Sequence, residues 1–531
     1  MKNRTLRWLG IWAMALLTTP MFAQLSGTYT IDPNGTGTSN YTSFTSAISA
    51  LSTSGVNGAV TFNVKQGTYS EQVTIPSVTG ASASNSITFQ ADPTNTSDAI
   101  VTYSPTGTSD NWTVRLNGCN DVAIKGLVIT SGGTTYGRLL DYTGNVANIS
   151  LIDNTFDGIA SSTSSYYAGI YYTSPAQAQG NWIISGNTME DVSYAMYIYA
   201  TSYTTGADTI VIEDNVISTN YYGLYPRYGK YVKIHGNTIN NGGTGNVYNY
   251  IYYPSVGVDV QNNDMNDVYY GFYLYTAPPS GGTLDLVFEN NDIETKYYGI
   301  YASCSGSSSY TQFTSASIKN NNIKVGGTST NYGIYLGYAN FPSTAPGVIE
   351  NNMIACNTTG ASSVYGTYLY HCANVVYQHN SVNVTGGSST AGRACYLNKS
   401  TSTSYFTPGG NIIKNNIFVN VGGGYAFEAS SSASSGYYTG DYNNFYASSS
   451  TPFGSGSSTL SAWQTASSQD ANSVWGDPLF ASANDLHVQG SSPNNAGTAL
   501  GVLTDIDGDT RSTTTPDMGA DEYAPLTCFG V

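Results

Sequence analysis

Glu213, Asp214, Arg227, Tyr228, Lys230 and His235 stand close together in the chain and supply carboxylates, a phenol, two cations and an imidazole. Brought together by neighbouring turns of a fold, they could remove a proton beside a sugar carboxylate while a cation neutralises that carboxylate. Arg227, Lys230 and His235 would take the catalytic roles. Farther on, His371 and His379 flank one predicted strand and Arg393 follows; they match no motif and are read as scattered surface residues. Asp505, Asp507 and Asp509 could offer oxygens to calcium, but an EF-type loop has its glycine sixth, and here Gly508 is fourth. A capping turn is preferred there, and no cofactor is expected. The six cysteines, Cys119, Cys304, Cys356, Cys372, Cys395 and Cys528, lack zinc-site spacing. Cys356, Cys372 and Cys395 fall on nearby predicted turns, so a disulfide among them stays open beside buried thiols packing as small hydrophobes.

A repeat must position these residues. The unit apolar-x-x-Asn-x-apolar recurs, in copies such as LIDNTF, IEDNVI, IHGNTI and IKNNNI, with IKGLVI as an earlier relative. Its anchors are Asn154, Asn187, Asn215, Asn237, Asn263, Asn291, Asn321, Asn352, Asn380, Asn416 and Asn444, spaced by 22 to 36 residues. A short, variable period with alternating apolar residues predicts one solenoid coil per copy. Asparagine suits the corner because it tolerates left-handed backbone angles, and stacked amides can bond to one another as a ladder. Two positions before successive anchors stand Glu213, His235, Gln261, Glu289, Lys319, Glu350, Gln378 and Lys414. Such a column pairs opposite charges between strands, and this bland role is preferred over catalysis for Glu213 and His235.

A second unit follows in each coil, as YAGIYY, YAMYIY, YYGLY, YYGFYLY, YYGIY and NYGIYL, with Ala195, Gly223, Gly271 and Gly299 each eight residues after an anchor. With Ile170, Met196, Leu224, Phe272, Ile300 and Ile334 inward, period-two alternation sends Tyr171, Tyr197, Tyr225, Tyr273, Tyr301, Tyr335 and Tyr368 outward. The row repeats at about 4.8 Å, one tyrosine per coil. Its ring faces could stack on sugar rings while the hydroxyls bond sugar hydroxyls. Alternatively the rings only stabilise adjacent coils, or lie inside if the parity slips by one residue.

The ends differ. Residues 1–23 carry Lys2, Arg4 and Arg7, an apolar run and Ala23 before Gln24, the order of a secretory signal; the run is too short to span a bilayer. Its removal takes the formal charge from −16 to −19, with only 9% of residues charged. That acidity argues against nucleic acid and disfavours an anionic polysaccharide. Residues 24–110 read as an N-terminal cap and first coils, with a helix over Tyr41–Leu51 that turns Tyr41, Phe44, Ile48 and Leu51 to one side and covers the open end. Residues 111–446 read as the repeats, and 447–523 as a region that closes the far end.

These features resemble the right-handed parallel β-helix, or pectin-lyase-like, superfamily over nearly the whole mature chain. The resemblance implies an all-β solenoid of about 11–13 coils behind an N-terminal helix. YTSFTSAISAL with Gly67, Tyr69, Glu71 and Val73 resembles the opening of pectinesterases. The QDTL, DFIFG and LGRPW segments of that family are missing, as are the NTD, DD, GHG and RIK signatures of polygalacturonases, so no catalytic residue carries over. The segment D-x-D-G-D-x-R…P-D-M-G-A-D-E, Asp505 to Glu522, resembles the closing motif of bacterial surface proteins of the choice-of-anchor group, often from Bacteroidetes. In that group a fibronectin-type or sorting module follows, and residues 524–531 read as the start of such a module in a truncated sequence.

The leading expectation is a secreted or cell-surface, non-catalytic glycan-binding protein or adhesin. It would be monomeric, with a polysaccharide or surface glycan as partner and no membrane insertion. A polysaccharide lyase or glycoside hydrolase on the same scaffold is the alternative, and a structural spacer the third.

Overall fold

The structure is a computed structural model that describes residues 23–159, 162–276, 283–304, 312–360, 363–387, 391–400, 406–430 and 436–523. The expected leader apart from Ala23, the 524–531 module start and Cys528 lie outside these residues. The chain winds as a right-handed parallel β-helix. One sheet stacks strands in parallel from Asn40–Tyr41 and Leu25–Ile31 through Val56–Val64 to Tyr438–Asp441. The second sheet gathers the remaining strands of each coil along two faces, and long strands such as Asp264–Thr276 and Asp292–Cys304 run through both. The interior is apolar from end to end, with levels such as Ile212, Ile234, Val260, Phe288 and Ile318 stacked in register. Burying one branched or aromatic side chain in this way is worth about 1.5–3 kcal/mol.

The asparagine ladder is continuous. Asn263 is typical: its Oδ1 accepts from the amide and Nδ2 of Asn237 at 3.0 and 2.9 Å. Its Nδ2 donates to Ile234 O, Gln261 O and Asn291 Oδ1 at 2.9, 3.0 and 2.9 Å. Two expectations are corrected. The left-handed residue is the one before each ladder asparagine, including Asp153, Gly186, Asp214, Gly236, Asn262, His379 and Tyr442. There the chain turns sharply out of the first sheet, and Gly, Asn and Asp take that backbone most easily. The eleventh rung is Asn443 rather than Asn444: Asn416 donates to Asn443 Oδ1 through its amide and Nδ2, both at 3.1 Å. Asn443 Nδ2 then meets Asp470 Oδ1 at 3.1 Å, where the ladder ends on a carboxylate that burial holds above its usual range. Asn444 lies on the next strand and donates to Gly476 O. At the other end Leu127 occupies the rung position, its amide donating to Asn154 Oδ1.

The N-terminal helix is Phe44–Ser54, not Tyr41–Leu51, because Ser43 forms a capping box with Ser46. Tyr41 sits in a short strand, its ring against Tyr29 and Phe62. Phe44, Ala47, Ile48 and Leu51 cover the open end. The Gly67/Tyr69/Glu71 segment fastens this cap. The Tyr69 hydroxyl donates to Ile31 O and Lys65 O, and the Glu71 carboxylate accepts from the Phe44 and Thr45 amides at the helix start.

After the last repeat the chain forms two parts. Phe453 and Trp463, the latter on the helix Leu460–Ser467, stack on the last coil. Residues 477–523 do not close that end but lie as a strap along the outside of the last coils. There Met353 and Ala355 meet Leu486 and Ala520, while Ile417 and Val419 meet Val488 and Met518. The corresponding outward positions of earlier coils are polar, as in Asp264/Asn266, Asp292/Glu294 and Asn322/Lys324. A strand apolar on both faces requires a cover on each.

The cysteines also answer the open question. Cys119, Cys356, Cys372 and Cys395 are free and buried, and burial pushes the first three thiols up to about 12. Cys372 Sγ donates to Leu336 O instead of pairing.

Candidate functional site

The outward side of one face carries two adjacent tyrosine rows. The first runs Tyr171, Tyr197, Tyr225, Tyr250, Tyr273, Tyr301, Tyr335, Tyr368 and Tyr396; the second runs Tyr194, Tyr222, Tyr248, Tyr270, Tyr298, Tyr332 and Tyr365. Ile170, Met196, Leu224, Phe272, Ile300 and Ile334 between them are wholly buried, so the alternation has the expected parity. At one coil spacing per step the first row extends about 38 Å. Glycine accompanies it for lack of space: a Cβ on Gly271 would fall 2.4 Å from Gly299 O, and one on Gly299 2.5 Å from Gly333 O.

The ring orientation corrects one expectation. Tyr273–Tyr301 and Tyr301–Tyr335 stack at 4.7 and 4.2 Å with interplanar angles of 4° and 6°, and Tyr197–Tyr225 at 4.2 Å and 20°. Rings stacked along the solenoid use their faces on one another, so open faces for sugar stacking are not what these stacks display, and Tyr335, expected outward, is itself buried at 8% exposure. The pattern breaks at Tyr250, which lies edge-on to Tyr225 and Tyr273 and instead stacks on Tyr248 and Tyr252 of its own coil. Mutual burial, reinforced by neighbouring phenols, pushes the Tyr194 and Tyr273 hydroxyls up to about 12 and those of Tyr250 and Tyr298 higher still. The face is therefore uncharged at physiological pH.

Ionised groups mark its ends and flank. At the start of the first row Asp141, wholly buried, is held by Arg115 at 2.5 Å and by Arg138, which also lies over the Tyr171 ring at 4.3 Å. At the other end Arg393 pairs with Glu428 and stands 4.9 Å over Tyr396. Arg227 sits on the flank among the rings of Tyr199, Tyr228 and Tyr253.

The proposed catalytic set does not converge. Arg227 is held by the aromatic rings, Lys230 pairs with exposed Asp208, and His235 Nε2 lies 3.0 Å from Asp259 Oδ1. Lys230 immediately precedes the strand Tyr231–His235 and His235 ends it, so the strand's own length, roughly 13 Å, lies between them. The column Glu213, His235, Gln261, Glu289, Lys319, Glu350, Gln378 and Lys414 is in register, with Lys319 paired to Glu350 at 3.2 Å. His371 and His379, expected on the surface, are both wholly buried. Phe406 covers His371, and the strap covers His379. Asp505 closes a turn by accepting the Asp507 and Asp509 amides at 3.0 and 2.8 Å and the Glu522 amide at 2.9 Å.

Part of the second row was visible in the YY pairs before Gly223, Gly271 and Gly299, whose second tyrosines, Tyr222, Tyr270 and Tyr298, each stand three residues before a first-row tyrosine.

Residues 160–336, which contain most of both rows, match the family described as periplasmic copper-binding protein (NosD). No curated protein matches. Among solved structures, the one titled "The complex structure of XylC with xylose" aligns over 94% of this chain and 99% of that chain, at 10% identity and a TM-score of 0.43.

Proposed function

We propose that this chain is an extracytoplasmic, non-catalytic binding scaffold whose tyrosine face holds a neutral polysaccharide or surface glycan. The observation that carries the reading is a band of two tyrosine rows, uncharged between Asp141 and Arg393, on a rigid ladder-locked solenoid. Recognition runs through phenol edges and hydroxyls, which match the alternating C–H and O–H groups of a sugar chain without needing its charge. Among the described residues no helix is long and apolar enough to cross a membrane. The chemistry alternative has less support, since Arg227, Lys230 and His235 each have a separate partner.

The test immobilises the chain and passes neutral and acidic polysaccharides over it, following retention, reducing ends and unsaturated uronate. Retention of neutral chains without product is expected. The combined variant Tyr225→Phe, Tyr273→Phe, Tyr301→Phe keeps the ring stacks and removes hydroxyls. It is expected to melt with the parent yet bind at least tenfold more weakly, about 1.4 kcal/mol. Undiminished retention would sink the hydroxyl reading and leave the rings as coil-stabilising stacks, and a released product would replace it with an enzyme.

A further inference from the structure

Away from the tyrosine face, the strap brings together one set of side chains with the makings of a ligand sphere. Leu486 and Val488 pin their segment to the solenoid and so fix the backbone on both sides of His487. The His487 Nδ1 faces the Asp485 carboxylate, and Nε2 lies 2.8 Å from Asp507 Oδ2. Ligating atoms of His487, Asp507 and Asp521 all lie within 4.8 Å of one another. Asp507 is held in place by the turn that Asp505 closes. Asp521 is nine-tenths buried; its Oδ2 accepts from the Val488 amide at 2.7 Å, and its other oxygen has no hydrogen-bond donor among the described residues.

We propose that His487 Nε2, Asp507 and Asp521 bind one divalent transition-metal ion, with Asp485 as the outer carboxylate that orients the imidazole. Plain ion pairing sets one imidazole against the three carboxylates of Asp485, Asp507 and Asp521, and leaves the Asp521 oxygen that faces the cluster without a protein donor. A divalent ion at the common focus of the three groups gives that oxygen a partner and offsets the carboxylate excess. One nitrogen and two oxygens suit zinc-like ions, whereas calcium prefers six to eight oxygens. A carboxylate on the far nitrogen of a ligating histidine is the usual means of fixing its ring. His487 and Asp507 are about half exposed, so the ion enters from solvent and keeps water as its remaining ligands. Bound there, it would clasp three strap segments, around residues 487, 507 and 521, into one unit.

The experiment is calorimetric titration of the full chain with Zn2+ alone, in a Cys528→Ser background so that this thiol contributes nothing. One equivalent is expected to bind, with affinity at least tenfold weaker in His487→Ala and in Asp507→Asn. Both positions are partly exposed, and apo melting curves of the two variants are expected to overlay the parent's. Zn2+ is also expected to protect the strap from limited proteolysis in the parent and not in either variant. No binding by the parent, or equal binding by both variants, would overturn the site. So would Ca2+ binding as tight as Zn2+ that survives His487→Ala.

Discussion

Replacing His379 with asparagine tests the strap-to-solenoid junction through its pH dependence. His379 is wholly buried and left-handed (φ 52°). Burial and the Arg511 guanidinium hold its pKa down at about 3, against the pull of the Gly519 and Asp517 carbonyls. Asn415 Nδ2 lies 2.9 Å from Nε2, which therefore acts as an acceptor on a neutral ring. The unfolded chain takes a proton near pH 6.5 that the folded chain refuses until about 3, so this residue's contribution to stability falls as pH drops through that window. At 1.36 kcal/mol per pKa unit, the loss between pH 7.5 and pH 5 is about 2 kcal/mol. Asparagine holds the same left-handed position in other coils, at Asn262, Asn290 and Asn320, and does not titrate. Other groups of the junction that titrate, Asp517 above all, remain in both proteins; burial raises the Asp517 carboxyl to about 6, which by itself opposes acid loss. Urea unfolding of parent and His379→Asn, followed side by side at several pH values, isolates the histidine. The difference in unfolding free energy is expected to move by about 2 kcal/mol in favour of the variant between pH 7.5 and pH 5. Parallel pH profiles would refute the claim that the strap keeps this imidazole buried and neutral.

The ladder and the corner glycines carry their own expectations. Asn263→Ala leaves the Asn237 amide and Ile234 carbonyl without their side-chain partners in the interior, and at about 1–3 kcal/mol for each buried group left unsatisfied it is expected to cost about 3–5 kcal/mol in chemical unfolding. A loss below 1 kcal/mol would mean that water or relaxation replaces the rung. Gly299→Ala puts a Cβ 2.4 Å from Ile323 Cγ2 and 2.5 Å from Gly333 O, so overpacking of about 1–3 kcal/mol is expected, read as a lower melting temperature. An unchanged melting temperature would show that the coils can part there.

The parts of the site legible beforehand were those set by local alternation. An inward Ile300 dictates an outward Tyr301 because neighbouring side chains in a strand leave on opposite faces, and nothing distant can reverse that. The same holds for the asparagine corners, where a tight turn and a side-chain amide are demanded within one coil. Even there the frame slipped by one at DYNNFY, since two adjacent asparagines offer the same chemistry and only the contact from Asn416 chooses Asn443.

What a side chain meets one coil away was decided in three dimensions. Coils of 22 to 36 residues can be stacked only once their loops are placed, so the face-to-face packing of Tyr273, Tyr301 and Tyr335, which uses the ring faces on one another and buries Tyr335, depended on the folded register. The strap lay farther out of reach. Its contacts join Asn351 to Thr504 and Arg511 across more than 150 residues, and they bury His379 in a place that its polar neighbours in sequence do not announce. Composition and alternation therefore determined the solenoid and the direction of the tyrosines. Which surfaces stay open, and which side chains converge at His487, followed from long-range packing, because burial of a face depends on what lands on it.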